Sequence, residues 1–408
     1  MDRLLRVGVV GLGRAASSML PSLRAHPHVA LTAAADSNPE ALRRFAADFG
    51  GKTYGDAAAM CADDAVDAVY IATPHQCHRD DVVAAASHGK HIVVEKPMAL
   101  TLEECRAMIA AAEAAGVVLI VGHTHAFDPS IPLIHEIIAS GELGPPRMIT
   151  NVVYTDFLYR PRRPEELDTA LGGGIMYNQV PHQIELVRAL ADAPLRSVKA
   201  LTGIWDDTRP TEGAMAALLE FENRVVASLV YSGYDHVDGD ELQFWIAESG
   251  VEKRRDGHGA ARRALGAATG PEAEARMKAE SGFAGRGVRT NAAPAHQPHF
   301  GMLLVSCERG DLRPSADGVL IYDEHGMHER LLPPARAFPN KDTVVDALYD
   351  AVVRGRPPRF DGRWGMATLE ASLALIESAR TRREIVLEPR DRRHTFLMHK
   401  VTERDAFS

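Results

Sequence analysis

"RVGVVGLGRAA" (residues 6–16) is an apolar run broken by glycines that then turns alanine-rich. It reads as a buried strand opening into a helix, with Gly11, Gly13 and Ala16 in a G-x-G-x-x-A pattern. In such a pattern the first glycine permits a tight turn and the second lets main chain approach a pyrophosphate. The small third residue lets the helix pack closely on the strand. Phosphates sit on the N-terminus of that helix, which places Arg14 and Ala15 beside them. A plain glycine turn would look the same in isolation. The context is stronger, because the next strand, "VALTAAAD" (29–36), ends in Asp36, followed by Ser37. A carboxylate there accepts both ribose hydroxyls of NAD and repels the 2′-phosphate of NADP.

Outward from this start, "DAVYIAT" (67–73), "HIVVEK" (91–96) and "GVVLIVG" (116–122) read as strands apolar on both faces. Between them lie amphipathic segments such as "NPEALRRFAADFG" (38–50) and "TLEECRAMIAAAEAAG" (101–116). In the second, Thr101 and Glu104 form a capping box and Gly116 ends the helix. The alternation predicts a doubly wound parallel sheet over residues 1–125. Beyond it the strand-like runs lengthen: "PRMITNVVYTDF" (146–157), "AMAALLEFENRVVASLVYSG" (214–233) and "ELQFWIAES" (241–249). "ENR" predicts a hairpin turn. Residues 126–390 are therefore expected to form a second α/β domain around an open, mainly antiparallel sheet with helices on one side. Residues 251–298 have weak periodicity and read as a long excursion or a mobile loop, and 391–408 as a polar tail.

A chain of 408 residues is long enough for two cores, and 46% hydrophobic with 25% charged residues is globular. A formal net charge of −9 argues against nucleic acid as the partner. No apolar run reaches the length of a membrane span, and Arg6 interrupts the only leader-like stretch. Cys61, Cys77, Cys105 and Cys307 are scattered without C-x-x-C spacing, as expected of reduced thiols in a cytoplasmic protein. "HTH" (123–125), "HQPH" (296–299) and "HGMH" (325–328) show no carboxylate or cysteine at metal-ligand spacing, so no metal is expected.

"HIVVEKPMAL" (91–100) ends a core strand in Glu95, Lys96 and Pro97. A charge there is costly unless something uses it. Lys96 falls at the carboxyl end of a parallel strand, where ligands bind, and an ammonium can stabilise a developing oxyanion. The bland alternative is a salt bridge at a strand end. Lys96–Pro97 is a candidate cis bond.

"GVVGLGRAA", "AAAD", "IATPHQCH" (71–78), "SHGKHIVVEKPMA" (87–99) and "GGGIMYNQVPHQIELVRAL" (172–190) occur in this order. Together they resemble the successive signatures of the Gfo/Idh/MocA oxidoreductases. That resemblance covers roughly residues 5–245 and resumes at 361–387. It implies NAD as cofactor, a homodimer or homotetramer packed through the C-terminal sheet, and action on a small-molecule substrate. It also implies catalytic roles for Lys96 and His182. The chain departs from the family pattern at Asn178, where an Asp is usual; four residues before His182, it is expected to orient the imidazole and to meet substrate. Thr73, Pro74 and His75, the last in place of a usual Asn, should line the cofactor with Glu95, Lys96 and Pro97, while His78 anchors that loop. His123, Tyr154, Arg160, Arg163 and Tyr177 are the remaining expected substrate contacts. The arginines of "LYRPRRPEELD" (158–168) offer forks for carboxylates. "GGGIMYNQVPHQ" (172–183), Ala126 and "QPHFGMLLVSCERGDLRPSADGVLIYDEHG" (297–326) together resemble the branch of the family that oxidises phthalate cis-dihydrodiols to catechols, and arginines facing a dicarboxylate fit that chemistry. An inositol or sugar dehydrogenase and an NAD-dependent glycoside hydrolase are the alternatives.

Overall fold

The structure, a computed structural model, describes residues 3–268, 270–286 and 294–388; the expected tail lies outside them. The first sheet comprises β1 (Leu5–Val10), β2 (Val29–Ala35), β3 (Lys52–Tyr54), β4 (Ala68–Ile71), β5 (His91–Val94) and β6 (Leu119–Val121). All pairs are parallel and the order is β3-β2-β1-β4-β5-β6. The order reverses between β1 and β4, and a crevice for ligands opens there, outside the strands' carboxyl ends. β4 and β6 are buried along their whole length, as strands covered on both faces must be. The covers are α1 (Arg14–Ala25), α2 (Pro39–Phe49), α3 (Ala57–Cys61), α4 (His78–Ser87) and α5 (Leu102–Ala115). Both halves of the Thr101–Glu104 capping box form, and Gly116 closes α5 at φ 65°.

The second sheet has β7 (Pro146–Tyr154), β8 (Leu195–Gly203), β9 (Ala214–Phe221), β10 (Val226–Ser232), β11 (Met302–Cys307), β12 (Gly310–Pro314), β13 (Gly318–Asp323), β14 (Gly326–Leu331) and β15 (Ile385–Val386). Its order is β14-β13-β12-β11-β7-β10-β9-β8-β15, antiparallel except where β7 meets β10. The hairpin at "ENR" joins β9 to β10, with Arg224 at φ 67°. The helices α6 (Ser130–Ala139), α7 (Gly174–Asn178) and α8 (Val180–Ala191) follow in the chain around β7. α8 is fixed to the sheet by Gln183, whose Nε2 donates to Asn151 Oδ1 at 2.8 Å and to Val230 O at 3.1 Å. Ile149, Asn151 and Val153 of β7 thus face the helices, whereas Met148 and Leu218 lie on the opposite face, 45% and 62% exposed.

Two expectations fail in the second half. "ELQFWIAES" is not a strand: Gly239–Gln243 form a tight 3-10 turn, and Phe244 and Trp245 follow at φ 60° and 61°. Its alternation imitates a strand, but a left-handed pair cannot extend. The excursion at 251–298 is not a plain loop, because it carries α9 (Ala260–Gly266), α10 (Pro271–Ser281) and α11 (Phe283–Arg286). Distant contacts hold it: Glu274 pairs with Arg209 at 2.8 and 3.0 Å and accepts from Arg162 N, Lys278 pairs with Glu166, and Phe283 is fully buried. None of these partners can be seen in local periodicity. Finally α12 (Pro339–Val353) and α13 (Gly362–Thr381) return the chain, α13 packing on both β8 and α5. Among the described residues no helix is long and apolar enough to cross a membrane.

Candidate active site

At the crevice, Gly11 has φ +85°, and a Cβ there would sit 2.8 Å from Thr73 N, so glycine alone lets the β1 and β4 loops touch. Gly13 precedes α1 without a side-chain cap, and a Cβ on it would meet nothing within 4 Å. Arg14 and Ala15 open α1, the first turn carries no acid, and Ala16 is fully buried against the sheet. An uncapped helix start facing open space fits a dinucleotide's pyrophosphate. Asp36 accepts from Leu12 N at 2.5 Å and from Asn38 N at 2.7 Å, which holds its carboxylate beside the glycine loop, with Ser37 exposed next to it. Across the crevice Thr73 donates to Asp81 and Pro74 is exposed. The buried His78 ring spans from Thr73 O (3.0 Å) to Pro97 O (3.1 Å), joining the β4 loop to the β5 loop.

The charges after β5 part company. Glu95 accepts from Tyr70 OH at 2.5 Å and from Lys96 N, while Lys96 Nζ donates to Asn178 O at 2.7 Å; the Lys96–Pro97 bond is cis. Burial pushes the Lys96 ammonium below its ordinary pKa, and Glu95, Glu185 and Glu248 oppose that shift. The glycine run docks beside it. Gln76 Nε2 donates to Leu171 O at 2.8 Å, and His75, its pKa driven well down by burial, hydrogen-bonds the Gly172 main chain. Gly174 has φ +72°, and a Cβ there would collide with Thr211 Oγ1.

Asn178 does not orient His182. α7 ends at Asn178 and α8 begins at Val180, so the two residues are not on one continuous helix. The Asn178 amide turns back and donates to Gly172 O (3.1 Å) and Gly174 O (2.9 Å). It is packing that holds the imidazole of His182. Its ring lies edge-on to His125 (centroids 4.9 Å apart) and against Phe300 (5.0 Å) and His123 (6.0 Å). His182 Nδ1 is sealed from solvent without a partner, as is His123 Nε2. Burial, then the charges of Lys96, His125 and Lys341, hold the His182 pKa well below the ordinary value, so the ring is neutral.

His125, outside the expected set, is the hub. Its Nδ1 lies 2.7 Å from Asp128 and its Nε2 3.0 Å from Glu248. Burial disfavours its charge, yet the two carboxylates prevail and raise its pKa to about 9. His123, His125 and Asp128 thus bring possible ligand atoms within 4.8 Å of one another, so a carboxylate does stand beside "HTH", contrary to the expectation from its spacing. Both His125 nitrogens, however, are committed to carboxylates.

Three expected substrate contacts are placed otherwise. Strand alternation turns Tyr154 to the face away from α8; Tyr231 of β10 lies on the helix side instead, bonded to Thr155 (2.6 Å) and Gln179 (3.2 Å). Arg163 is half exposed and paired with Glu165 and Glu166. Tyr177 packs as a half-buried ring between the two cores and senses Glu212. Arg160 stays: Asp156 holds its Nε at 2.7 Å, and it shares the field of Glu248 and Tyr231. An open cleft of about 520 Å³ lined by His135, Asp192 and Arg309 lies at the far end of α8 from His182.

Residues 5–123 match the model of the oxidoreductase family with an NAD-binding Rossmann fold, and 132–248 match the GFO/IDH/MocA C-terminal domain. The chain belongs to the Gfo/Idh/MocA family. It is an oxidoreductase with an NAD-binding Rossmann domain. Among its family relatives is 1-carboxy-3-chloro-3,4-dihydroxycyclo hexa-1,5-diene dehydrogenase of Comamonas testosteroni. That enzyme is 43% identical over 382 residues, 92% of this chain and 95% of the relative. Scyllo-inositol 2-dehydrogenase (NAD(+)) of Bacillus subtilis is 30% identical over 48% of this chain and 57% of its own. A solved Bordetella bronchiseptica RB50 structure superposes with a TM-score of 0.88 at 44% identity, covering 94% of this chain and all of that one.

Proposed function

We propose that this Gfo/Idh/MocA oxidoreductase dehydrogenates a carboxylated cyclohexadiene cis-diol with NAD, in the cytoplasm, giving a ketone that tautomerises to a catechol. The observation that carries the reading is a buried, neutral His182 that feels the charge of Lys96, with Lys96 and Arg160 sharing the field of Glu248. Bound NAD supplies the acceptor for the hydride leaving the carbinol carbon. His182, kept neutral, takes the hydroxyl proton, and the Lys96 ammonium hydrogen-bonds the same oxygen as negative charge grows on it. Asn178 O fixes one N–H of Lys96 and leaves the others for that oxygen. Glu95 supports Lys96 from behind. Arg160, one edge held by Asp156, offers its remaining N–H groups to an anionic ring substituent. The Comamonas relative, whose name describes a carboxylated dihydroxycyclohexadiene, supports this substrate class.

The Glu248 carboxylate supports a second reading, since its side chain is 47% exposed and would suit the hydroxyls of an inositol or sugar. NADH formation with carboxylated cis-dihydrodiols, inositols and aldoses separates the two. Turnover confined to the dihydrodiols is the expected result. A face of the second sheet bearing Met148, Leu201, Leu218 and Val226 supports assembly as a homodimer or homotetramer.

A further inference from the structure

We propose that Lys341 is a second anchor, beside Arg160, for the substrate's ring carboxylate, a role that rests on the carboxylated-diol reading above. Lys341 lies in the first turn of α12, between two residues that dock this turn on the loop carrying His125. Asn340 Nδ2 donates to Asp128 Oδ1 at 3.2 Å, and Thr343 Oγ1 donates to Phe127 O at 3.3 Å. Its charge acts on His123, His182 and Lys96, and in turn feels Glu95, Glu248 and Asp128, so the ammonium shares the cleft of His182. The residue is half buried, as a cleft wall is.

What singles it out is the lack of a partner. Lys96 bonds Asn178 O, Arg160 bonds Asp156, Arg162 bonds Phe157 O, and His125 bonds Asp128 and Glu248. Among the described residues Lys341 Nζ has neither a hydrogen bond nor an ion pair. Burial accordingly pushes its pKa down to about 8. The Glu95, Glu248 and Asp128 carboxylates act on it only from a distance, so the half-buried ammonium touches no counter-ion, and a ligand carboxylate in contact with it would offset the cost of burial. A neutral polyol would leave it in place.

The test is calorimetry of benzoate and benzamide binding to the NAD-loaded enzyme, in the wild type and in Lys341→Met and Lys341→Arg. The wild type is expected to prefer benzoate over benzamide by about tenfold or more, the scale of one charge-assisted hydrogen bond. Lys341→Met should lose most of that preference with benzamide and NAD affinities intact, and Lys341→Arg should restore part of it. Equal wild-type binding of the two ligands, or undiminished benzoate binding by Lys341→Met, would overturn the proposal. Retained discrimination in an enzyme that oxidises no dihydrodiol would support the anchor and defeat only the turnover reading.

Discussion

Lys96 Nζ and the main-chain oxygen of Asn178 lie 2.7 Å apart although 82 residues separate them. The first sheet supplies the ammonium, and the glycine run before α8 supplies the acceptor that aims it. The side chain of Asn178 holds this acceptor still by donating to Gly172 O and Gly174 O. Aspartate cannot donate in that way when ionised. Asn178→Asp should therefore lower stability by about 1–3 kcal/mol, the cost of losing these two hydrogen bonds and setting a carboxylate against carbonyl oxygens, and should reduce kcat as well. Thermal melting together with steady-state kinetics checks both; an unchanged melt would show that the amide bonds carry no load.

Acid and alkaline limbs of the pH profile follow from the two shifted groups. His182 must be neutral to take a proton, and its pKa lies well below 6.5, so kcat/KM should hold level at neutral pH and fall only in more acid solution. Lys96 must be charged, and burial lowers its pKa from 10.5, so the alkaline fall should begin below that value. Initial rates across the range measure both limbs. An acid limb centred at or above 6.5 would be inconsistent with a buried, unpartnered imidazole.

Cofactor choice rests on Asp36, tied to Leu12 N and Asn38 N beside the glycine loop. NAD should be preferred over NADP by at least about tenfold, equivalent to ~1.4 kcal/mol. Asp36→Ala should narrow the ratio of kcat/KM values, mainly by weakening NAD. Equal use of both cofactors by the wild type would remove the assignment.

Much of the fold was legible because its signals are local. Doubly apolar strands, the Thr101–Glu104 box and the "ENR" turn each lie within a few residues. The positions of Lys96 and Asp36 were legible for the same reason, since each follows a strand whose carboxyl edge must face the crevice. The rest is made by distant pairing. His125 meets Glu248 across 123 residues, Lys341 arrives on α12, and Tyr231 displaces Tyr154 through a register that no single strand displays. "ELQFWIAES" misled because an alternating pattern does not reveal a pair of left-handed residues.

The proposed assembly through the open sheet would place Leu218, 62% exposed in the middle of β9, in a contact between subunits. Leu218→Asp should convert the oligomer to monomer in light scattering at micromolar concentration, since a carboxylate buried in an apolar contact is unpaired. A wild type already monomeric under those conditions would refute this interface.

The central claim is that His182 takes the substrate proton while Lys96 stabilises the same oxygen. The most direct measurement is kcat of His182→Ala with a carboxylated cis-dihydrodiol, made alongside NAD binding. A fall on the order of a hundredfold or more, the range for a positioned acid–base group, with NAD affinity retained, is the predicted result. A near-normal kcat with an unchanged pH profile would contradict it and leave the Lys96–Asn178 contact a purely structural tie.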